Sequence, residues 1–198
     1  ICDNQDNDCD GRADEGLAEA EDLCDGLDND CDMNIDEDAA TDRFEGEMNN
    51  DECQRAFNLG TIPQNIDEPR TWDAQVNVMD ARDHYTMVVE EDSSVCVPVL
   101  GVGTADYKTT ITVVGDEAQQ FRVCTKYSVG SDPGLANVCG GFELDDCVEG
   151  PGNMALTREY ITEDNCGATQ DTRVAIKVEA IDPMACQAYT LSILTRDE

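Results

Sequence analysis

The stretch Thr109-Thr110-Ile111-Thr112-Val113-Val114 decides the fold class. β-Branched side chains are enriched in strands, because they are restricted in helices and pack well on a pleated surface. A second run of this kind is Arg173-Val174-Ala175-Ile176-Lys177-Val178, and further runs rich in Val, Thr, Ile and Tyr are bounded by Gly, Pro and Asp. The predicted strands are residues 75–79, 85–90, 95–100, 109–114, 120–127, 155–160, 173–180 and 189–194. Short strands separated by turns, with no long helix among them, predict a mostly β fold, an antiparallel β-sandwich of jelly-roll-like form.

The charge of the chain is extreme and changes along its length. The 198 residues carry a formal net charge of -33, and residues 1–38 contribute -15 of it. Such a surface repels phosphates, so it excludes nucleic acid as a partner and favours metal cations. No run of 18 apolar residues is present, so we expect no membrane span. We predict two Asp-rich repeats in residues 1–38, a polar linker in residues 39–52 and a β-sandwich domain in residues 53–198.

An internal repeat occupies the first part of the chain. Residues 2–15 are C-D-N-Q-D-N-D-C-D-G-R-A-D-E, and residues 24–37 are C-D-G-L-D-N-D-C-D-M-N-I-D-E, at an offset of 22 residues. Neither copy has hydrophobic periodicity, so neither is expected to fold around a core of its own. A solvated acidic tail is the plain alternative, but such a tail has no reason to repeat its cysteines and alternating Asp residues in register.

The repeat has the chemistry of a calcium site. Calcium is a hard cation that takes six to eight oxygen ligands, and carboxylates on alternate residues of a tight loop converge on one point. A glycine after the third Asp allows the sharp turn, and the residue after the glycine offers a backbone carbonyl. The predicted ligands are Asp6, Asp8, Asp10, Arg12 and Asp14 in the first copy, and Asp28, Asp30, Asp32, Asn34 and Asp36 in the second. Because these groups are oxygen donors, we predict Ca²⁺ rather than copper, iron or zinc.

Three known metal-binding motifs resemble this pattern to different extents. The D-x-D-x-D-G core resembles an EF-hand loop, but no bidentate Glu stands at its twelfth position. With its flanking cysteines, C-D-x-x-D-N-D-C-D-x-x-x-D-E is more similar to the MopE-type metal-binding motif of secreted bacterial proteins, and to the thrombospondin type 3 calcium repeat. The resemblance covers residues 1–38. Met33 departs from it where the pattern has glycine, which affects the turn of the second site.

The 11 cysteines indicate disulfides formed outside the reducing cytosol. No C-x-x-C pair is present and His84 is the only histidine, so a zinc framework is not expected. In the repeats, Cys2 and Cys9 are able to pair within one loop, as are Cys24 and Cys31; a bond between Cys9 and Cys24 is the alternative. The sandwich holds seven: Cys53, Cys96, Cys124, Cys139, Cys147, Cys166 and Cys186. Since seven is odd, one is free, pairs with the repeats or bonds to another chain.

The rest of the chain has a weaker resemblance, to the bacterial pre-peptidase C-terminal domain, a small β-sandwich appended to secreted enzymes and surface proteins. It rests on Asn50-Asp51-Glu52, Ala56, Leu59-Gly60, Asp83-His84-Tyr85 and Ala188-Tyr189-Thr190-Leu191-Ser192-Ile193. The usual spacing is lengthened here by the Cys-rich segment 124–166.

The sequence carries no enzyme signature, and we predict that the chain is not an enzyme. It contains no G-x-S-x-G, H-E-x-x-H or phosphate-binding glycine loop, and His84 is expected in a strand as a structural side chain. Since the chain begins at Ile1, we expect that a signal peptide or an upstream region precedes it. We predict a secreted, extracellular bacterial protein that binds calcium and self-associates, as a filament, surface layer or adhesive subunit at the bacterial surface. The alternative is the accessory region of a larger secreted hydrolase.

Overall fold

The computed structural model describes residues 50, 52–76, 81–90, 106–115, 119–129, 138–139, 142–143, 146–162, 171–181 and 187–197. Within them, one 3₁₀ turn at Cys53–Arg55 precedes nine strands. The strands are β1 (Phe57–Pro63), β2 (Arg70–Val76), β3 (Arg82–Glu90), β4 (Tyr107–Gly115), β5 (Gln120–Val129), β6 (Cys147–Pro151), β7 (Leu156–Thr162), β8 (Thr172–Ala180) and β9 (Gln187–Asp197).

The strands form two sheets. Sheet A has the order β1-β3-β8-β5-β6, and sheet B has the order β2-β9-β4-β7. Of the strand pairs described, only β1 with β3 is parallel. The chain passes through β2 of sheet B between these two strands, and such a crossover returns it to sheet A in the same direction. The predicted antiparallel β-sandwich is therefore confirmed, with the correction that sheet A is mixed at one edge.

The core lies between the two sheets. Strands β4 and β9 alternate buried and partly exposed residues along most of their length, as expected where one face of a strand packs inward. One cluster of buried apolar side chains draws on both sheets, and its buried aromatic members are Tyr85, Tyr107, Phe121, Tyr160 and Tyr189. Since this cluster is continuous across the two layers, the described strands form one packed unit.

Most of the predicted strands are present. Segments 85–90, 109–114, 120–127, 173–180 and 189–194 lie inside β3, β4, β5, β8 and β9, and segment 155–160 matches β7 to within two residues at either end. Segment 75–79 overlaps β2 only at residues 75 and 76, the last two residues of that strand. The predicted position of this strand was therefore too late in the chain. Segment 95–100 lies outside the described residues.

Two edge strands, β1 and β6, were not predicted from the sequence. β1 contains Gly60, which takes a φ of 85° where the register between β1 and β3 shifts. That left-handed conformation favours glycine and accompanies a bulge, and the Gly60 N–H donates to Asn58 Oδ1 at 2.9 Å. β1 ends in Pro63 and β6 in Pro151. Gly and Pro weaken a strand pattern but are tolerated at the edge of a sheet, which is where both strands lie.

Two disulfides connect parts of the fold that are distant in sequence. Cys53 bonds to Cys139 across 86 residues, and Cys124 bonds to Cys147 across 23 residues. The predicted disulfides are confirmed for these four cysteines and are compatible with an extracellular protein. The remaining cysteines, three in the predicted sandwich and four in the repeats, lie outside the described residues. In the described part of the chain, no helix has the length and apolar character that crossing a membrane requires.

Candidate functional site

The predicted metal ligands all lie outside the residues that the structure describes. These are Asp6, Asp8, Asp10, Arg12, Asp14, Asp28, Asp30, Asp32, Asn34 and Asp36. Their convergence on Ca²⁺ therefore stays a prediction. Among the residues from 50 to 197 that are described, no three His, Cys, Asp or Glu side chains form a group that could hold a metal ion.

The charge of the chain is divided unevenly between the sandwich strands and everything else. The described residues include 14 acidic and ten basic side chains, a net charge of -4. The other residues therefore carry -29 of the total of -33. The described part of the sandwich has a nearly balanced surface, and the acidic character belongs to the repeats and to the remaining segments.

Ion pairs on sheet A bring acidic and basic side chains into direct contact. Arg122 contacts Glu149 at 2.5 Å and Glu179 at 3.0 Å, and Lys177 contacts Glu179 at 2.8 Å. The hydrogen bond to Glu149 contributes most to raising the pKa of Arg122. Burial alone would raise the pKa of Glu179, but the hydrogen bonds from Lys177 and Arg122 outweigh it and hold that pKa below its usual range. These side chains neutralise one another on the outer face of sheet A.

A small second core covers another part of that outer face. Cys53, Val138 and Ala175 are buried together, and Cys139 and Phe142 pack against them. Lys177 Nζ lies 6.0 Å from the centre of the Phe142 ring, within the range of a cation–π contact. Because the Cys53–Cys139 disulfide lies in this cluster, it fastens the segment before β1 to the middle of sheet A.

His84 belongs to this covered face. It lies in β3, is only 6% exposed, and its ring is 6.1 Å from that of Phe142. Its Nδ1 is 3.2 Å from the backbone carbonyl of Asn50, which also accepts a hydrogen bond from the His84 N–H at 3.0 Å. The expected placement of His84 in a strand is confirmed. Asn50, within the predicted linker, is itself buried against β3.

A buried polar network stands inside the main core. The Tyr189 hydroxyl donates to Asp83 Oδ2 at 2.5 Å and lies 2.6 Å from the Tyr85 hydroxyl. These three side chains are almost fully buried. Burial, followed by the nearby carboxylate of Asp83, raises the pKa of Tyr189 well above its usual value. The network joins β3 of sheet A to β9 of sheet B through polar contacts that have no access to solvent.

One side of the sandwich exposes aromatic and aliphatic surface. β6 pairs with β5 only from Gln120 to Cys124, although β5 continues to Val129. Beyond that point, Tyr127 stacks on Tyr160 of β7, with ring centres 4.6 Å apart and planes at 14°. We use the name β5–β7 edge for this region; its members are Lys126, Tyr127, Val129, Arg158, Tyr160 and Ile161.

The β5–β7 edge is open although two of its residues point inward. Tyr127 and Val129 are opposite Val174 and Thr172, both fully buried, yet they are 46% and 42% exposed. Arg158 Nε lies 3.5 Å from Thr125 Oγ1 and links β7 to β5. The sequence does not indicate this region, because Tyr127 and Tyr160 are 33 residues apart and belong to different sheets. Nothing in the pattern of either strand indicates that they meet.

Comparison of the sequence with known proteins finds no match that would support either family resemblance. No family model matches the chain, so neither the repeat resemblance nor the domain resemblance has support of that kind. No curated protein matches it either.

Solved structures show weak similarity. One is the pre-peptidase C-terminal domain of a collagenase from Bacillus anthracis, at 14% identity and a TM-score of 0.38, over 68% of this chain and 92% of that one. Another is the carbohydrate-binding module TmCBM61 in complex with β-1,4-galactotriose, at 10% identity and a TM-score of 0.30, over the same shares of the two chains. TM-scores of this size do not assign the chain to either group.

Proposed function

We propose that this chain is a calcium-binding structural protein of the cell exterior, which self-associates into a filament, surface layer or adhesive assembly stabilised by Ca²⁺ and disulfides. The observation that carries the proposal is the division of charge. A doubled, cysteine-bracketed Asp loop concentrates a net charge of -15 in residues 1–38, whereas the 146 residues from 53 to 198, which include the sandwich, carry -14. The repeats therefore supply the metal chemistry, and the sandwich supplies a packed body with disulfides.

Calcium has a physical role in this arrangement. Two carboxylates about 4 Å apart repel each other by roughly 1 kcal/mol even in water, and each repeat contains several within a few residues. A bound divalent cation reverses that repulsion and holds a loop that has no apolar core. Met33 replaces the turn glycine in the second copy, so this site is expected to bind more weakly than the first.

Calcium also makes self-association feasible. Chains with a charge of -33 repel one another, and a cation that neutralises facing carboxylates removes the main barrier to contact. A two-fold contact closes on itself, whereas a head-to-tail contact continues and produces a filament. We therefore expect association to require calcium and to be lost with a chelator.

Calorimetric titration of the full chain with Ca²⁺ tests the metal sites. Asp8→Ala should remove about one site and Asp30→Ala about one other, because each stands in the middle of its loop where the carboxylate must face the ion. Asp67→Ala is the matched control: this exposed Asp lies in the sandwich, and its backbone carbonyl, which the substitution keeps, accepts a hydrogen bond from Arg196. Unchanged stoichiometry in both repeat variants would refute the ligand assignment.

Sedimentation of the same protein in calcium and in chelator tests the association. Assemblies that dissociate on chelation support the proposal. A monomer at high concentration in calcium would contradict it, and would favour the accessory region of a secreted hydrolase instead.

A further inference from the structure

Tyr127 is the one tyrosine of the chain that solvent reaches readily. All five tyrosines lie within the described residues. Tyr127 is 46% exposed, whereas each of the other four is at most 7% exposed: Tyr85, Tyr107, Tyr160 and Tyr189. An oxidant of phenols that acts at the protein surface therefore meets Tyr127 first.

The Tyr127 ring lies against a second phenol. Its neighbour is Tyr160 of β7, with ring centres 4.6 Å apart and planes inclined by 14°, so the two rings are in contact. This contact allows an electron lost by Tyr127 to be replaced from Tyr160, and a second oxidation at Tyr127 then leaves both phenols as radicals. Because β6 pairs with β5 only as far as Cys124, no described strand encloses Tyr127 on that side, and its ring has room to turn.

The two rings belong to different sheets, and the sheets have no described covalent link. One of the two disulfides in the described residues joins β5 to β6 within sheet A, and the other fastens the segment before β1 to the outer face of that sheet. Tyr127 lies in sheet A and Tyr160 in sheet B, 33 residues apart in the chain. A bond between the two rings would therefore join the sheets at the side where the sandwich is open.

We propose that Tyr127 and Tyr160 form a dityrosine cross-link within one chain when the protein meets hydrogen peroxide and a haem peroxidase outside the cell. One electron and one proton leave each phenol, and the peroxide that accepts them is reduced to two molecules of water. The two phenoxyl radicals join through a carbon atom ortho to each hydroxyl. Each ring becomes aromatic again when the hydrogen on that carbon moves to its oxygen, so two hydrogen atoms are lost in all. The cross-link needs neither calcium nor self-association, and thiols do not cleave it.

Treatment of the full chain in dilute solution with a haem peroxidase and hydrogen peroxide tests the proposal. Dityrosine fluorescence should appear in a product that still runs as a monomer on a reducing, denaturing gel. Proteolysis should then release one joined pair of peptides, from β5 and β7, that is two hydrogen atoms lighter than their sum. Met154 is 62% exposed and gains an oxygen atom under this treatment, so the loss of hydrogen is read from the peptide pair and not from the intact mass.

Single substitutions identify the bonded pair. Tyr127→Phe and Tyr160→Phe each keep the ring and remove one phenol, so neither variant should form the cross-link. Tyr107→Phe is the matched control: this tyrosine is 1% exposed, its hydroxyl lies 2.9 Å from Thr172 Oγ1, and the variant should cross-link as the wild type does. Circular dichroism before treatment shows that each variant is folded.

Thermal unfolding gives an independent readout. A cross-link that closes a loop of 33 residues should raise the thermal midpoint of the treated wild type by about 10 °C. The midpoint of Tyr127→Phe should not rise after the same treatment, which separates the cross-link from other effects of peroxide.

Three results would overturn the proposal. Dityrosine that joins two chains would show that Tyr127 couples to another copy instead of to Tyr160. Cross-linking that persists within one chain in either single variant would show that another pair of tyrosines is bonded. A treated wild type without dityrosine, in a mixture where added N-acetyltyrosine does couple, would show that the stacked pair does not react. None of these results bears on calcium binding or assembly, so the proposed function would stand.

Discussion

The buried network of Asp83, Tyr85 and Tyr189 gives the sharpest stability prediction. Tyr189→Phe removes one hydroxyl and leaves the ring, so apolar burial and the ring contact with Phe121, at 6.0 Å between centres, are kept. The loss is the hydrogen bond to Asp83 Oδ2 at 2.5 Å and the contact with the Tyr85 hydroxyl at 2.6 Å.

The magnitude follows from the groups involved. A hydrogen bond to a charged group contributes about 1.5–3 kcal/mol net, and one between neutral hydroxyls about 1 kcal/mol. Neither Asp83 nor Tyr85 has access to solvent that could replace the lost partner. We therefore expect Tyr189→Phe to lower the free energy of unfolding by about 3 kcal/mol. For a domain of this size the thermal midpoint would fall by roughly 10 °C.

Thr190→Val is the matched control and lies beside Tyr189 on β9. Its hydroxyl also donates to a carboxylate, that of Asp73 at 2.8 Å, but this hydrogen bond is exposed. Its loss should change stability by no more than about 0.5 kcal/mol. Denaturant unfolding followed by circular dichroism, with calcium held constant, measures both variants. If Tyr189→Phe is no worse than Thr190→Val, the buried network does not stabilise the fold.

Two further predictions concern the disulfides and alkaline pH. Replacing Cys53 and Cys139 with Ala should lower the free energy of unfolding by about 1 kcal/mol more than replacing Cys124 and Cys147. The two disulfides close loops of 86 and 23 residues, and the entropy that a disulfide removes from the unfolded chain grows with the length of its loop. Thermal unfolding of the two double variants measures the difference, and the reverse order would contradict it. Burial raises the pKa of both Tyr160 and Tyr189, so the unfolded chain releases these two protons at a lower pH than the folded protein does. The stability that the two protonated side chains contribute is therefore intact below about pH 10, and above it the free energy of unfolding falls by up to about 1.4 kcal/mol per pH unit for each. A free energy of unfolding that stays constant from pH 9 to pH 11 would refute this.

The fold class was predictable because its central strands carry their own signal. Thr109 to Val114 and Arg173 to Val178 are β-branched runs in β4 and β8, and both strands lie inside their sheets with partners on either side. β1 and β6 were not predictable in the same way. They stand at the edges of sheet A, where Gly60, Gly150 and a final proline are tolerated because no second partner strand needs their backbone groups.

Contacts between distant residues were beyond the sequence. Cysteine counting indicated disulfides, but it could not select Cys53 with Cys139 among the possible pairings, since pairing depends on how the segment before β1 lies on sheet A. The Tyr127–Tyr160 stack depends in the same way on which strands end up at the open side of the sandwich. The calcium ligands are a local pattern that sequence alone can propose, and they remain a prediction.

The Cys53–Cys139 disulfide determines how the chain would carry tension. A pull on residues 1–52 enters the sandwich at Cys53 and passes directly to Cys139, so the residues between them, which include all of β1 to β5, are bypassed. Of these 198 residues, only the 59 after Cys139 could then be drawn out, a length of about 200 Å at roughly 3.4 Å per residue. With that bond reduced, the Cys124–Cys147 disulfide would still bypass the 22 residues between its cysteines, so 123 of the 145 residues after Cys53 could be extended, to about 420 Å. A subunit loaded through its N-terminal segment would therefore stretch less than half as far before reaching its limit while this single covalent link is intact.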